Sequence, residues 1–428
     1  MDRSLWAVLS GTFTLRFSTA LTGTMLAYYL ADLPAHGGQA VDPATFGLIA
    51  ALFYASELIF SPFFGILSDR LGHHRLMQVG PIFGAAAVIV TFATTNLVVI
   101  GLTRVLEGGA TAASVPSILG FIAAATASDE LLRGRAVARF EAATLTGLLG
   151  GFVVAGPLWQ VVGPAAFLIN AGVYGVSFLI YRFGVDPTLD HSKPTATSLP
   201  IDRYLAILRG SHVWLLAPTW IAINAVLGLY TTQTIFQLVK EPNPKFADQL
   251  LMGGFQPVQI SLGLAVGGAL FIAGLLYWGN RFRNLRRTTI ILYGIGGGAA
   301  LIVAGLGINH AGESLYVLVP LGLLAAAGLF VLAGATPAAI GLLADVTEAY
   351  PEDRGAIMGL YSVFLGIGQI VGSILGGTAA ELRGLDGIFV VSFVLLGIAL
   401  LPLARLRRFE HVVTGSPGPA RLGDDPAG

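Results

Sequence analysis

Four ionisable residues, Arg16, Glu57, Arg104 and Glu107, sit in stretches of sequence that are otherwise almost wholly apolar. A charge at the centre of a membrane-crossing helix costs at least about 2.5–3.5 kcal/mol on insertion scales, so such groups face a cavity or a partner. A carboxylate placed there can carry a proton, because burial and a neighbouring charge move its proton affinity through the working range. Glu57 is the first proton-coupling candidate, since no basic residue lies within a turn or two on its own helix; Glu107 is the second. Arg16 and Arg104 make a positive pocket suited to a carboxylate or phosphate. Arg104 and Glu107 are three apart, however, and can form a self-neutralised structural pair within one helix. Glu141 lies about one turn into its span and reads as an interfacial residue that snorkels to the surface.

Helical spacing gives these charges their company. Thr12, Arg16, Thr19 and Gly23 share one face by the i, i+4, i+7 rule, and Arg104, Glu107, Thr111 and Ser114 share another. A weaker polar stripe holds Asn224, Gly228 and Thr231, with Tyr230, Gln233 and Gln237 beside it. Aligning Trp6 with Trp214 sets Asn224 opposite Arg16. The cavity and substrate-binding candidates are therefore Arg16, Arg104, Thr12, Thr19, Thr111, Asn224, Tyr230 and Gln233. They outline a wet cavity, charged on one side and neutral but polar on the other.

The composition says what must position them. Of 428 residues, 55% are hydrophobic and 11% charged, with mean hydropathy +0.77. Soluble chains carry about 25% charged residues. Disorder is excluded by the high hydrophobicity, and a nucleic-acid partner by the lack of any basic tract. No cysteine is present, so disulfide and thiolate chemistry are absent. The fold class expected is all-α and polytopic. Splitting the uncharged runs at turn residues gives twelve transmembrane helices, near 5–31, 44–67, 76–94, 96–124, 136–159, 163–183, 212–239, 256–279, 288–308, 314–343, 356–380 and 385–404. The first is too long for a signal-peptide core and reads as an anchored helix. With both termini cytoplasmic, nineteen Lys and Arg fall in inner loops and tails against three in outer loops.

The chain also repeats itself. Shifted by 221 positions, Pro116 falls on Pro337, Gly120 on Gly341, Arg133-Gly134 on Arg354-Gly355, and Gly147, Gly151 and Gly156 on Gly368, Gly372 and Gly377. Two parallel halves follow: an N-terminal six-helix bundle over 1–184, a cytoplasmic linker over 185–211, a C-terminal bundle over 212–408 and a polar tail over 409–428. Gly147, Gly151, Gly156, Pro157, Gly368 and Gly372 are packing or hinge residues, since small residues four apart let helix backbones approach closely. They suggest sliding seams between spans 5 and 8 and between spans 2 and 11. Pro116 and Pro337 imply matching bends in spans 4 and 10.

Twelve spans in two halves is the plan of the major facilitator superfamily, and local motifs carry the resemblance. Gly65-Ile-Leu-Ser-Asp69-Arg70-Leu-Gly72-His73-His74-Arg75 resembles its inner-loop motif, with His73 and His74 where the family has basic residues. The equivalent loop, Gly279 to Arg287, keeps the positive charge and lacks the Asp. Arg104 to Ala110 resembles the family's span 4 pattern. Gly147 through Gly156-Pro157 resembles the span 5 motif of its proton-driven drug antiporters, although Leu158-Trp159-Gln160 departs from the glycines that continue it there.

The resemblance implies a cytoplasmic gate at Gly65, Asp69, Arg70, Gly72 and Arg75, with Asp69 accepting from the N-terminus of span 11 near Arg354-Gly355. It implies a secondary active transporter of the cell membrane, working by alternating access as a monomer and exporting amphiphilic small molecules against protons. The alternative is a symporter or facilitator of a defined metabolite, such as an organic anion held by Arg16 and Arg104. Enzyme chemistry is not expected, for no His-Glu-x-x-His, Gly-x-Ser-x-Gly or phosphate-binding loop occurs. Nor is a cofactor or metal expected. The partners are a small-molecule substrate, protons and the lipid bilayer.

Overall fold

A computed structural model describes residues 3–127, 129–190, 213–283, 285–312, 314–349 and 354–413. The segment 191–212, most of the expected linker, and the end of the expected tail lie outside these. The described regular structure is helical throughout. The main helices are α1 (Arg3–Ala31), α2 (Pro43–Leu71), α3 (Val79–Phe92), α4 (Leu97–Ala125), α5 (Glu130–Val162), α6 (Ala166–Gly184), α7 (Leu216–Val239), α8 (Pro257–Gly279), α9 (Arg287–His310), α10 (Leu315–Leu332), α11 (Ala335–Ala349) and α12 (Arg354–Val413).

Their starts are written locally. Asp42 caps α2, accepting from the Thr45 amide at 2.7 Å, and Pro43 supplies a first helical residue that needs no donor. Asn96 caps α4 through the Val98 amide at 2.9 Å, and Asp129 caps α5 through the Leu132 amide at 2.8 Å. Glycine makes the reversals. Gly163 (φ 56°) separates α5 from α6, and Gly384 (φ 61°) breaks α12, as the spans 136–159 with 163–183 and 356–380 with 385–404 anticipate.

Among the described residues, eight helical stretches are long and apolar enough to cross a membrane. Leu131–Gly184 with 54 residues and Leu360–Arg408 with 49 each hold twice the roughly 20 that one crossing needs. α1 and α7 are not among the eight, because threonines with Arg16, and threonines with Asn224 and glutamines, lower their hydropathy. The expected bends at Pro116 and Pro337 do not match. Pro116 lies inside continuous α4, whereas the chain turns at Ala333-Gly334 and restarts as α11 just before Pro337. A proline ring presses on the carbonyl four residues back. At Pro337 that is Ala333, beside a glycine free to turn.

The core forms two clusters. One gathers residues from Leu5 to Val185, with Ile235, Phe236 and Ile260 joining from α7 and α8. The other gathers residues from Leu215 to Leu406. Within the first, α5 packs on α1; within the second, α12 packs on α7. Between them, α5 meets α8 and α2 meets α12.

Candidate functional site

Arg104 and Glu107 are buried on α4 and paired with each other, as their spacing allows. The Arg104 guanidinium also lies over the Phe53 ring, 4.8 Å from its centroid. Among the described residues, Arg104 Nε and Glu107 Oε1 have no hydrogen-bond partner. Gly108 lets this helix lie on α2, where a Cβ would strike the Phe53 carbonyl and crowd the Glu57 amide.

Arg16 is placed differently. It is half-buried on α1, its Cβ backed by Gly147 of α5. Glu57 of α2 and Glu141 of α5 both lie within its electrostatic reach, and among the described residues neither forms an ion pair with it. Glu141 is exposed and also felt by Tyr361 of α12. It is thus within electrostatic reach of α1 and of α12. Tyr174 of α6 feels both Arg16 and Arg104, and Tyr54 of α2 feels both Arg104 and Glu57. The charges expected from sequence are thus brought together, with Glu141 and these two tyrosines added.

The polar stripes are only partly in place. Tyr54 reaches Thr231 of α7, whose hydroxyl is 3.4 Å from Gln369 Oε1 of α12. Gln369 was legible only as a lone amide in an apolar span. Thr19 lies beside Tyr174. Thr111 is buried on α4. Three expected cavity residues point elsewhere. Thr12 bonds back to the Val8 carbonyl at 2.8 Å and lies beside Tyr181 of α6. Tyr230 faces Phe389 and Ser392 in the second part of α12. Asn224 donates to its own helix at the Trp220 carbonyl (2.8 Å), with Gly368 of α12 packed against its Cβ.

Gln233 helps close one end. It donates to the Pro43 carbonyl at 3.1 Å, joining α7 to the start of α2. Beside it the rings of Phe46 and Phe236 stack 4.3 Å apart, and Lys240 Nζ donates to the Val41 carbonyl at 2.9 Å. Burial pulls the Lys240 ammonium below the usual lysine range, with Asp42 opposing it. At the same end Ser261 of α8 accepts from the Gly156 amide and donates to the Phe152 carbonyl, both at 2.8 Å. A Cβ on Gly156 would run into the Pro257 carbonyl, and one on Gly47 into the Ser373 carbonyl.

Spans 5 and 8 do meet, as do spans 2 and 11, but mostly through other glycines than expected. Gly147 and Gly151 face the Phe13 and Phe17 carbonyls of α1, not α8. Gly368 and Gly372 face the Ile221 and Ala225 carbonyls of α7, not α2. Gly156, followed by Pro157 inside α5, makes the close approach to α8; Gly47 and Gly377 make that of α2 to α12.

At the opposite end lies the loop motif. Gly65 and Gly72 flank Asp69 and the exposed Arg70, with Arg75 exposed beyond. Gly72 ends α2 with φ 96°. Asp69 Oδ1 is 3.5 Å from His73 Nε2 on its own loop. The side chains of 354–359, where the bond from Asp69 to span 11 is expected, lie outside the described set. His73 and His74 are buried, and both meet Asp190, which the sequence reading missed.

The sequence profile of the major facilitator superfamily matches residues 8–344 and 254–423. The chain is 24% identical over 284 residues to the quinolone resistance protein NorA of Staphylococcus aureus (strain MSSA476), covering 66% of this chain and 68% of that one. It is 24% identical over 347 residues to multidrug resistance protein 2 of Bacillus subtilis (strain 168), covering 79% and 81%. Its fold is similar to that of the nucleoside transporter NupG, with TM-score 0.74 at 14% identity over 95% of this chain and 99% of that chain. It is also similar to that of the human organic anion transporter MFSD10 (TETRAN), with TM-score 0.63 at 19% identity over 94% and 99%. Profile, relatives, fold and apolar helices agree: the chain belongs to the major facilitator superfamily and is a multi-pass transporter of the cell membrane.

Proposed function

We propose that this protein is a secondary active carrier that exports amphiphilic small molecules in exchange for protons. The observation that carries the reading is Arg16, which forms no ion pair among the described residues and lies within reach of two carboxylates on different helices, Glu57 and Glu141. A proton arriving on either carboxylate changes which one Arg16 can satisfy, and an amphiphilic cation can take the place of that proton. Glu107 is a weaker carrier than Glu57, because Arg104 already neutralises it. Two relatives named for drug resistance support the substrate class.

The carrier is read as twelve crossings in two six-helix bundles over 1–184 and 212–408, with both termini cytoplasmic and the basic loops inside. It works as a monomer by alternating access. In that frame the end closed by Phe46, Phe236, Gln233 and Lys240 is the outer one. Close packing of α5 on α8 and of α2 on α12 supplies surfaces on which the bundles rock.

The organic-anion reading keeps one supporting observation, since Arg16 is free of an ion pair among the described residues. It loses the second half of its clamp, because Arg104 is engaged by Glu107. Reconstitution in vesicles under an imposed pH gradient separates the two. Proton movement driven by lipophilic cations, and lost in Glu57→Gln, is the expected result. Anion uptake that is lost in Arg16→Gln and shows no pH response would overturn it.

A further inference from the structure

His73 occupies a fitted slot between two carboxylates from different parts of the chain. Its Nδ1 is 3.0 Å from Asp190 Oδ1, beyond the end of α6, and its Nε2 is 3.5 Å from Asp69 Oδ1 at the end of α2. The ring is buried, and Gly120 of α4 leaves the space it fills, since a Cβ there would overlap it. The Asp190 side chain is 6% exposed and also accepts from the His74 amide at 3.0 Å. The neighbouring His74 ring is committed elsewhere, at 3.0 Å from the Tyr181 carbonyl. Arg70 and Arg75 on the same loop are exposed. The equivalent place in the second half is held by Arg287, which lies over Gly341 and pairs with Asp345 at 3.2 Å.

A neutral imidazole has one N–H and can donate to one carboxylate; an imidazolium has two and can donate to both. Arginine, as at position 287, is always in the two-handed state, whereas histidine changes charge between about pH 5 and 8. We infer that His73 is a proton-controlled clasp: neutral, it holds Asp190 and so ties the loop after α2 to the chain after α6; protonated, it strengthens that tie and also draws in Asp69 at the end of α2. Acidification at this end of the molecule then withdraws Asp69 from any other partner. Asp69 sits at the gate motif, so the clasp makes that gate's freedom depend on the pH at its own face.

The clasp rests on the fold and not on proton exchange by the carrier, so it is tested apart from transport. Hydrogen exchange of the full-length protein in lipid nanodiscs, corrected for intrinsic rates, is followed between pH 8 and 5.5. Protection of amides over 69–78 and 185–190 is expected to rise about two- to five-fold on acidification, the range of a part-exposed ion pair. The rise disappears in His73→Gln and in Asp69→Asn and persists in His74→Gln. A rise that survives His73→Gln, or vanishes in His74→Gln alone, overturns the inference. Loss of proton-coupled export with the rise intact would overturn the carrier reading alone.

Discussion

Gly147 and Gly368, 221 positions apart, make the same kind of contact. Each lets α5 or α12 lie directly on a backbone carbonyl, that of Phe13 in α1 for Gly147 and that of Ile221 in α7 for Gly368. Each is also packed on the Cβ of one further residue, Arg16 and Asn224 respectively. The pairing repeats one turn on, with Gly151 on Phe17 and Gly372 on Ala225. α7 therefore carries an amide where α1 carries a cation that forms no ion pair among the described residues, and the asymmetry of charge is built on a repeated backbone contact.

That contact leaves no room for a side chain. Gly147→Val and Gly372→Val should each destabilise the protein by about 1–3 kcal/mol, the usual cost of overpacking. Gly263→Val, where a Cβ meets open space, should cost far less apart from helix propensity. Thermal unfolding in detergent measures all three, and equal losses would contradict the packing described.

Glu107 is predicted to be structural. Glu107→Ala leaves Arg104 buried and unpaired, at a cost of about 3–5 kcal/mol. The double variant Arg104→Met with Glu107→Met should recover most of that. Glu57→Gln should leave unfolding within about 1 kcal/mol of the parent, as a neutral isostere at an unpaired site, yet remove proton-driven transport. If Glu107→Gln abolished coupling at unchanged stability, the roles would be reversed.

Glu141→Gln should shift the pH profile of transport, because it withdraws one of the two carboxylates that feel Arg16. Glu141→Asp should restore it in part. An unchanged profile in both would return Glu141 to the interface.

Asp42 gives a pH prediction outside the membrane. Burial pushes its carboxyl up, but bonds from the Thr45 amide and hydroxyl outweigh that and hold it below the usual range. A depressed folded-state value means that the stabilisation is present above the unfolded value and is lost as pH falls through the folded one. Asp42→Ala should cost about 1 kcal/mol or less at neutral pH, since the site is largely exposed and screened. In thermal scans, the gap between parent and variant should close in acid.

The closed end can be locked. The chain has no cysteine, so Phe46→Cys with Phe236→Cys introduces the only thiols. A short bis-methanethiosulfonate, which joins the two thiols through disulfides with loss of methanesulfinate, should stop transport, and a thiol reductant should restore it. Undiminished transport in the cross-linked protein would mean that this end does not open.

Much of this was legible beforehand because it is local or periodic. The reversals at Gly163 and Gly384, the 221-position repeat and the pairing of Arg104 with Glu107 needed only turn chemistry, self-comparison and helical spacing. What escaped depends on which neighbour a helix face meets. Helical spacing groups Thr12 with Arg16, but Thr12 bonds back to the Val8 carbonyl and lies beside Tyr181 of α6. Tyr230 and Gln233 both sit near the polar stripe of α7, yet one packs on Ser392 and the other bonds Pro43. Asp190 lies 117 positions from His73, and no periodicity links them.

The stacked pair at the closed end does not stand alone. The rings of Phe46 and Phe236 lie 4.3 Å apart, and on either side of them Gln233 holds the Pro43 carbonyl and Lys240 the Val41 carbonyl. Parting α2 from α7 at this end therefore means giving up one stack and two hydrogen bonds in a single step.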